Sequence, residues 1–240
     1  MGWHSRRVCG RYVSTEDPDQ LRLMYEADTI DVPVLPPNYN VAPTQPVYVV
    51  DEMSGPRNIR VVNWGLIPSW AKDASIASKL INARSDTIWE KPSFRSAIRT
   101  SRCLIPANGW FEWQTTDDSK RPYLYERTNH ELVSMGGILE AWRDPATGAW
   151  RRTCAIITTD ANLEVAKVHD RMPVIIEKSD WATWLNPHNG ATSDTAKLIE
   201  NLMRPAAADV VRGREVSKAI NSVKNNAPEF LLPVGTNEIS

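Results

Sequence analysis

Residues 102–114, Arg-Cys-Leu-Ile-Pro-Ala-Asn-Gly-Trp-Phe-Glu-Trp-Gln, contain two strand-like runs, Arg102–Ile105 and Gly109–Gln114, on either side of a Pro-Ala-Asn-Gly turn. The pattern repeats outward in both directions. Val47–Asp51 and Ile59–Trp64 are β-branched runs flanking a Ser-Gly-Pro turn. Tyr123–Arg127, Leu132–Leu139, Thr153–Thr159, Pro173–Ile176 and Val210–Val216 also read as strands, as does a short run at Val8–Val13. Residues 31–46 carry Pro33, Pro36, Pro37, Pro43 and Pro46, which excludes a helix there. Helices are predicted from Asp17-Pro18-Asp19 to about Glu26, with Leu21, Leu23, Met24 and Tyr25 as apolar contacts. Others are predicted at Ser75–Leu80, in pieces over Arg84–Arg99 broken at Pro92, and at Asp160–Ala166, Trp181–Leu185 and Ala196–Met203. Strands dominate and do not alternate with long helices. The predicted fold is therefore α+β: one domain with a largely antiparallel, barrel-like β core flanked by short helices, with a basic groove.

The 240 residues are 42% hydrophobic and 24% charged, an ordinary globular balance. There is no apolar run of membrane-spanning length, no secretory h-region at the start and no repeat; the expected location is cytoplasmic. Cys9, Cys103 and Cys154 form no C-x-x-C pair, so neither a disulfide framework nor a zinc ribbon is expected. Charge is segregated along the chain. Residues 14–53 hold eight acids against Arg22 alone, whereas residues 54–113 hold nine bases and four acids; such a basic region can attract a polyanion. Ten tryptophans, several beside Pro, Gly and charge, suit a wet groove. Trp64 reads as core, Trp181 and Trp184 as the apolar side of a helix, and Cys103 and Cys154 as buried, inert thiols.

Phosphate-loop, dinucleotide, zinc-protease and nucleophile-elbow signatures are absent. Six short polar clusters in Pro/Gly/Trp settings stand out instead. In order they are Cys9-Gly-Arg-Tyr12, Asn38-Tyr-Asn-Val-Ala-Pro-Thr44, Trp64-Gly-Leu-Ile-Pro-Ser-Trp70, Ile81-Asn-Ala-Arg-Ser85, Asn108-Gly-Trp-Phe-Glu-Trp113 and His169-Asp-Arg-Met-Pro173. Together with Ser217–Asn225, the chain resembles the SRAP family (SOS-response-associated peptidases, abasic-site processing proteins) over nearly its whole length. The resemblance implies a protein that binds single-stranded DNA and bonds covalently to an abasic site, with no metal and no organic cofactor. A cysteine at the mature N-terminus supplies an α-amine and a thiol. The amine forms a Schiff base with the opened sugar, and the thiol closes a thiazolidine. An α-amine ionises near ~7.7–8.0, so part of it is unprotonated at neutral pH, and Arg11 is expected to favour the thiolate.

Position by position, the resemblance makes Cys9, Asn82, Glu112 and His169 catalytic. Asn82 hydrogen-bonds the opened sugar, Glu112 shuttles protons with a raised pKa, and His169 assists ring opening and reversal. Arg11, Arg84 and Arg171 match phosphate-facing arginines, and Asn40 and Thr158 polar backbone contacts. Trp70 and Pro43 match apolar surfaces that stack on or wedge between bases. Lys224 and Asn225 are read as structural supports. The departure from the family lies at the start: Cys9 follows Met1–Val8, where the family cysteine follows the initiator methionine. Residues 1–8 are accordingly expected to be an extra segment before a domain at 9–235, either a misassigned start, with Val8 read as the initiator, or a segment cut away. A monomer is expected. The alternatives are a class II glutamine amidotransferase using Cys9 with Asn108-Gly109 at an oxyanion hole, a non-catalytic single-strand binding module, and a cysteine peptidase acting on other proteins.

Overall fold

The computed structural model describes residues 9–28, 32–116 and 119–238; the extra segment 1–8, and with it Val8 of the first predicted strand, lies outside them. The elements in order are β1 (Tyr12–Ser14), α1 (Pro18–Tyr25), β2 (Asn38–Val41), β3 (Pro46–Asp51), β4 (Asn58–Trp64), β5 (Asn82–Arg84), α2 (Ala97–Thr100), β6 (Arg102–Ala107), β7 (Gly109–Thr115), β8 (Lys120–Arg127), β9 (Val133–Arg143), β10 (Trp150–Asp160), β11 (Arg171–Pro173), α3 (Trp181–Leu185), α4 (Ser193–Leu202), β12 (Val211–Val216) and β13 (Pro233–Glu238). They form two sheets. One is antiparallel throughout, in the order β13-β12-β8-β7-β1-β2. In the other, β9 pairs with both β6 and β10, so β10-β4-β3-β6-β9 closes into a five-stranded ring. Only the pairings of β10 with β4 and β5 are parallel. The expected α+β architecture is present.

Both faces of β3 and β6 and of most of β9 are buried, which is why their sequences read as continuous apolar runs. Along β3, Val47 and Val49 point into one cluster with Val62, Trp64, Cys103 and Cys154. Tyr48 and Val50 point the other way, into a cluster covered by Leu21, Tyr25, Ile98, Trp181 and Trp184 from the helices. Each such aliphatic side chain contributes roughly 1.5–3 kcal/mol when buried. Cys9, Tyr12 and Trp110 of the open sheet join the first cluster, so that sheet closes over one mouth of the ring. Trp64, Trp181, Trp184, Cys103 and Cys154 are all buried.

Helix α1 starts where its chemistry dictates. Asp17 caps it by accepting from the Gln20 N–H at 2.8 Å, the Gln20 side chain answers to the Asp17 N–H, and Pro18 takes the first turn. Leu21 and Tyr25, four apart, share the buried face. Leu23 and Met24 do not, being 70% and 45% exposed.

Several local expectations need correction. Residues 85–96 are a series of single turns, such as Glu90 N–H to Thr87 O and Phe94 N–H to Lys91 O. Pro92 donates nothing to a ladder there, and only α2 is helical. Residues Ala74–Lys79 and Val165–Lys167 are 3-10 turns. β11 precedes its predicted position, β1 begins only at Tyr12, and β13 had no sequence signal. The charge segregation is partly offset on folding. Arg60 pairs with Asp51 at 2.6 Å and Arg57 with Glu52 at 2.9 Å across the β3–β4 hairpin, and Arg102 is buried. Among the described residues no helix is long and apolar enough to cross a membrane.

Candidate active site

The antiparallel pairing of β1 with β7, Tyr12 opposite Trp110 and Val13 opposite Gly109, extends back through a bond from the Phe111 N–H to the Arg11 carbonyl at 3.0 Å. Continued two residues further, that register brings the segment before β1 alongside Glu112. The Cys9 N–H donates to Glu112 Oε1 at 2.8 Å. Cys9 is 0% and Glu112 1% exposed. Among the described residues the second carboxyl oxygen of Glu112 accepts no hydrogen bond. Burial pushes the Glu112 carboxyl well above the ordinary carboxylate range; the Cys9 N–H opposes this and the charge of Asp170 adds to it. The Cys9 thiol is also pushed well up, by burial first and by Glu112 second. Thiolate stabilisation by Arg11 is therefore not what the fold provides.

A cavity of about 830 Å3 opens beside this pair, at the seam between the open sheet and the ring. Glu112, His169, Arg11, Pro43, Thr44, Trp113, Lys120 and Asn221 line it. His169 is 7% exposed. Its Nδ1 accepts the Arg171 N–H at 3.1 Å and stands 2.9 Å from Asp170 Oδ1. Asn82 opens β5, whose parallel register with β10 sets Asn82 opposite Ile156 and Arg84 opposite Thr158. It is half-buried, and its neighbour Ile81 lines the cavity. The structure thus brings Cys9, Glu112, His169, Arg11 and Pro43 together, with Asn82 at the margin.

The remaining assignments divide. Trp70 is 59% exposed on a loop anchored by Ile67, Ala71 and Trp142, with Trp142 Nε1–H donating to the Ala71 carbonyl at 2.8 Å. Its indole is thus held out from the surface. Arg84 is exposed but bound by Asp86 through two contacts at 3.1 and 2.7 Å, so much of its charge is compensated. Asn40, Thr158 and Arg171 are 1%, 1% and 5% exposed and do not face outward as the sequence suggested. Asn40 uses its amide inside the fold: Nδ2 donates to the carbonyls of Ile220, Ser222 and Asn225, and Oδ1 accepts from Arg11 at 2.7 Å. Arg171 binds Asp160 and the Thr158 carbonyl, each at 2.7 Å, and so braces the turn that carries His169.

Arg11 also donates to the Ile220 and Asn221 carbonyls and lies 6.0 Å over the Trp113 ring. No carboxylate pairs with it among the described residues, so the cavity keeps its positive charge. Sequence reasoning missed Lys120 and the pair formed by Trp113 Nε1–H and Asn221 Oδ1 at 2.6 Å. No local pattern marks them, because Lys120 reaches the cavity only through its register opposite Thr115. Asn108 of the amidotransferase alternative accepts from the Thr15 N–H and hydroxyl through Oδ1 and donates to Glu16 through Nδ2, so it ties β7 to the segment before α1. Among the described residues no His, Cys, Asp or Glu cluster could hold a metal ion.

Comparison with known proteins places the chain in a family. Residues 8–223 match the family model of the SOS response associated peptidases. The chain is 36% identical over 230 residues to the abasic site processing protein YoqW of Bacillus subtilis, covering 93% of this chain and 99% of that one. It is 32% identical to the abasic site processing protein HMCES of Gallus gallus, covering 82% and 66%. A crystal structure of a protein from Bacteroides thetaiotaomicron superposes with a TM-score of 0.83 at 28% identity, covering 94% of this chain and all of the other. The chain belongs to the SOS response associated peptidase (SRAP) family.

Proposed function

We propose that the protein captures abasic sites in single-stranded DNA through a covalent bond to Cys9, in response to DNA damage. The observation that carries this reading is the Cys9 nitrogen held 2.8 Å from a buried carboxyl at the edge of a cation-bearing cavity. With Cys9 as first residue, that nitrogen is an α-amine and Glu112 its proton acceptor. The free amine adds to C1 of the ring-opened sugar, giving a carbinolamine. Glu112, protonated by the transfer and held in the acid form by burial, returns the proton to the departing hydroxyl, and water leaves as the iminium forms. The thiol then adds to the same carbon. The C=N electron pair goes to nitrogen, the S–H proton passes to the Glu112 carboxylate, and a thiazolidine results. The neutral thiol that burial favours is the species this step consumes. His169, with Nδ1 bonded by the Arg171 N–H, lines the same cavity and assists sugar opening and reversal. Removal of a C2 proton from the iminium would instead cleave the strand by β-elimination, a lyase activity of the same site.

The reading requires Cys9 to be the first residue of the working protein, through initiation at Val8 followed by methionine removal or through cleavage after Val8, including self-processing. Arg11 and Lys120 supply unneutralised charge for the phosphates, and Pro43 and Trp70 supply apolar faces for the bases. The working form is proposed to be a monomer.

The test is a denaturing gel with an oligonucleotide bearing one uracil, before and after uracil removal. A shifted band only after removal, lost in Cys9→Ala, supports the proposal; no shift in protein whose mass shows Cys9 first would overturn it. Ammonia release from glutamine without a shift would favour an amidotransferase, and equal binding of both strands without crosslinking a passive module.

A further inference from the structure

The loop between β2 and β3 is a tight turn. Gln45 N–H bonds to the Ala42 carbonyl at 3.3 Å, Pro43 takes the second position and Thr44 the third, with φ +76°. That position belongs to glycine or asparagine, because a β-branched side chain is strained in the left-handed region. Among the described residues three other non-glycine residues have positive φ. Glu26 caps α1 and His130 closes a turn, while Cys9 lies at the site itself. Thr44 is forced into place from both sides: its N–H donates to the Trp64 carbonyl at 2.6 Å, and its carbonyl accepts from Asn63 Nδ2 at 3.0 Å. The side chain so placed contributes nothing to the core. It is exposed, takes no hydrogen bond among the described residues, and lines the same cavity as Pro43, Glu112 and His169.

We infer that Thr44 is a strand-binding residue, its hydroxyl donating to a phosphate oxygen of the nucleotide next to the lesion while Pro43 meets the base. The inference rests on the single-strand reading above and adds a contact to it. An adjacent hydroxyl donor is neutral, so it grips phosphate at a fixed point without adding to the charge that Arg11 and Lys120 bring.

The experiment measures fluorescence anisotropy with a short undamaged single-stranded oligonucleotide, together with thermal melts, for Thr44→Val, Thr44→Ser and Thr44→Gly. Thr44→Val keeps the shape and loses the donor; it is expected to bind about tenfold more weakly with unchanged salt dependence. Thr44→Ser is expected to bind like the parent. Thr44→Gly relieves the backbone, so it is expected to melt a few degrees higher yet bind as weakly as the valine variant. If both Val and Gly variants bind like the parent, Thr44 is a turn residue only and the inference falls. If the parent, with Cys9 shown by mass to be its first residue, binds the strand but does not crosslink an abasic one, the covalent reading fails, and Thr44 is still judged by the anisotropy. If the parent does not bind single strands, both fall.

Discussion

Arg102 and Glu112 are each 1% exposed, one at the ring and one in the open sheet, and their surroundings are opposite. The Arg102 guanidinium donates to four backbone carbonyls, those of Trp184, Ile98, Arg99 and Asn186, and lies over the Trp184 ring. Burial lowers its pKa to about 10, yet it stays charged at neutral pH because its donors are met. It ties α2, β6 and α3 together. Glu112 has one oxygen satisfied by Cys9 and the other by nothing among the described residues. A buried charge with all partners in place is structural. A buried carboxyl left half-satisfied has spare hydrogen-bonding capacity and a perturbed pKa, the two things proton transfer needs.

The sharpest way to break this contrast is Glu112→Gln. The amide still accepts the Cys9 N–H but cannot carry a proton, so crosslinking is expected to slow by roughly 10²–10⁴-fold, read from gel time courses. Stability should move the other way. With the carboxyl pKa raised by folding, the folded state binds the extra proton, so stability is fully present below the ordinary carboxylate pKa and declines as pH rises from there toward the elevated folded value. The glutamine variant removes that decline. In protein that keeps a peptide bond before Cys9, its Tm should match the parent in acid and exceed it at neutral and alkaline pH, and a parent that melts higher at neutral pH would refute the assignment. Arg102→Ala should do the reverse, costing about 3–5 kcal/mol in denaturant melts by stranding four carbonyls. The protein that remains folded should crosslink at the parental rate.

Asn40→Ala tests an intermediate case, a fully used amide that borders the site. Loss of its bonds to residues 220–225 should cost about 1–3 kcal/mol and speed hydrogen exchange in that segment; a faster exchange confined elsewhere would contradict the clamp. The smallest effect on stability is expected from Trp70→Ala, an exposed side chain with little to hold. Stability should stay within about 0.5 kcal/mol, while affinity for single strands falls by about 1–3 kcal/mol as one stacked base is lost.

These residues also mark what was legible in the sequence. Helix α1 was readable from Asp17, Pro18 and Asp19 because capping is a local matter, and α3 was readable from its apolar residues between Asp180 and Asn186. β5 was not, because three residues become a strand only against β10, more than 70 positions away. The catalytic candidates came from motifs that resemble a family. Their convergence is a property of register: Cys9 and Glu112 are 103 residues apart. The burial of Arg171 and Asn40 was not legible, because their partners, Asp160 and the carbonyls of Thr158, Ile220, Ser222 and Asn225, are brought to them only by the fold.

The contact between Cys9 and Glu112 has a practical side. A carboxyl oxygen is satisfied as well by a peptide N–H as by a primary amine, so folding is indifferent to what precedes the cysteine. The chemistry is not, because an amide cannot condense with an aldehyde. A preparation carrying an affinity tag upstream would therefore fold, melt and hold DNA normally while being covalently mute. Such a decoy would compete with the working form for the same lesions.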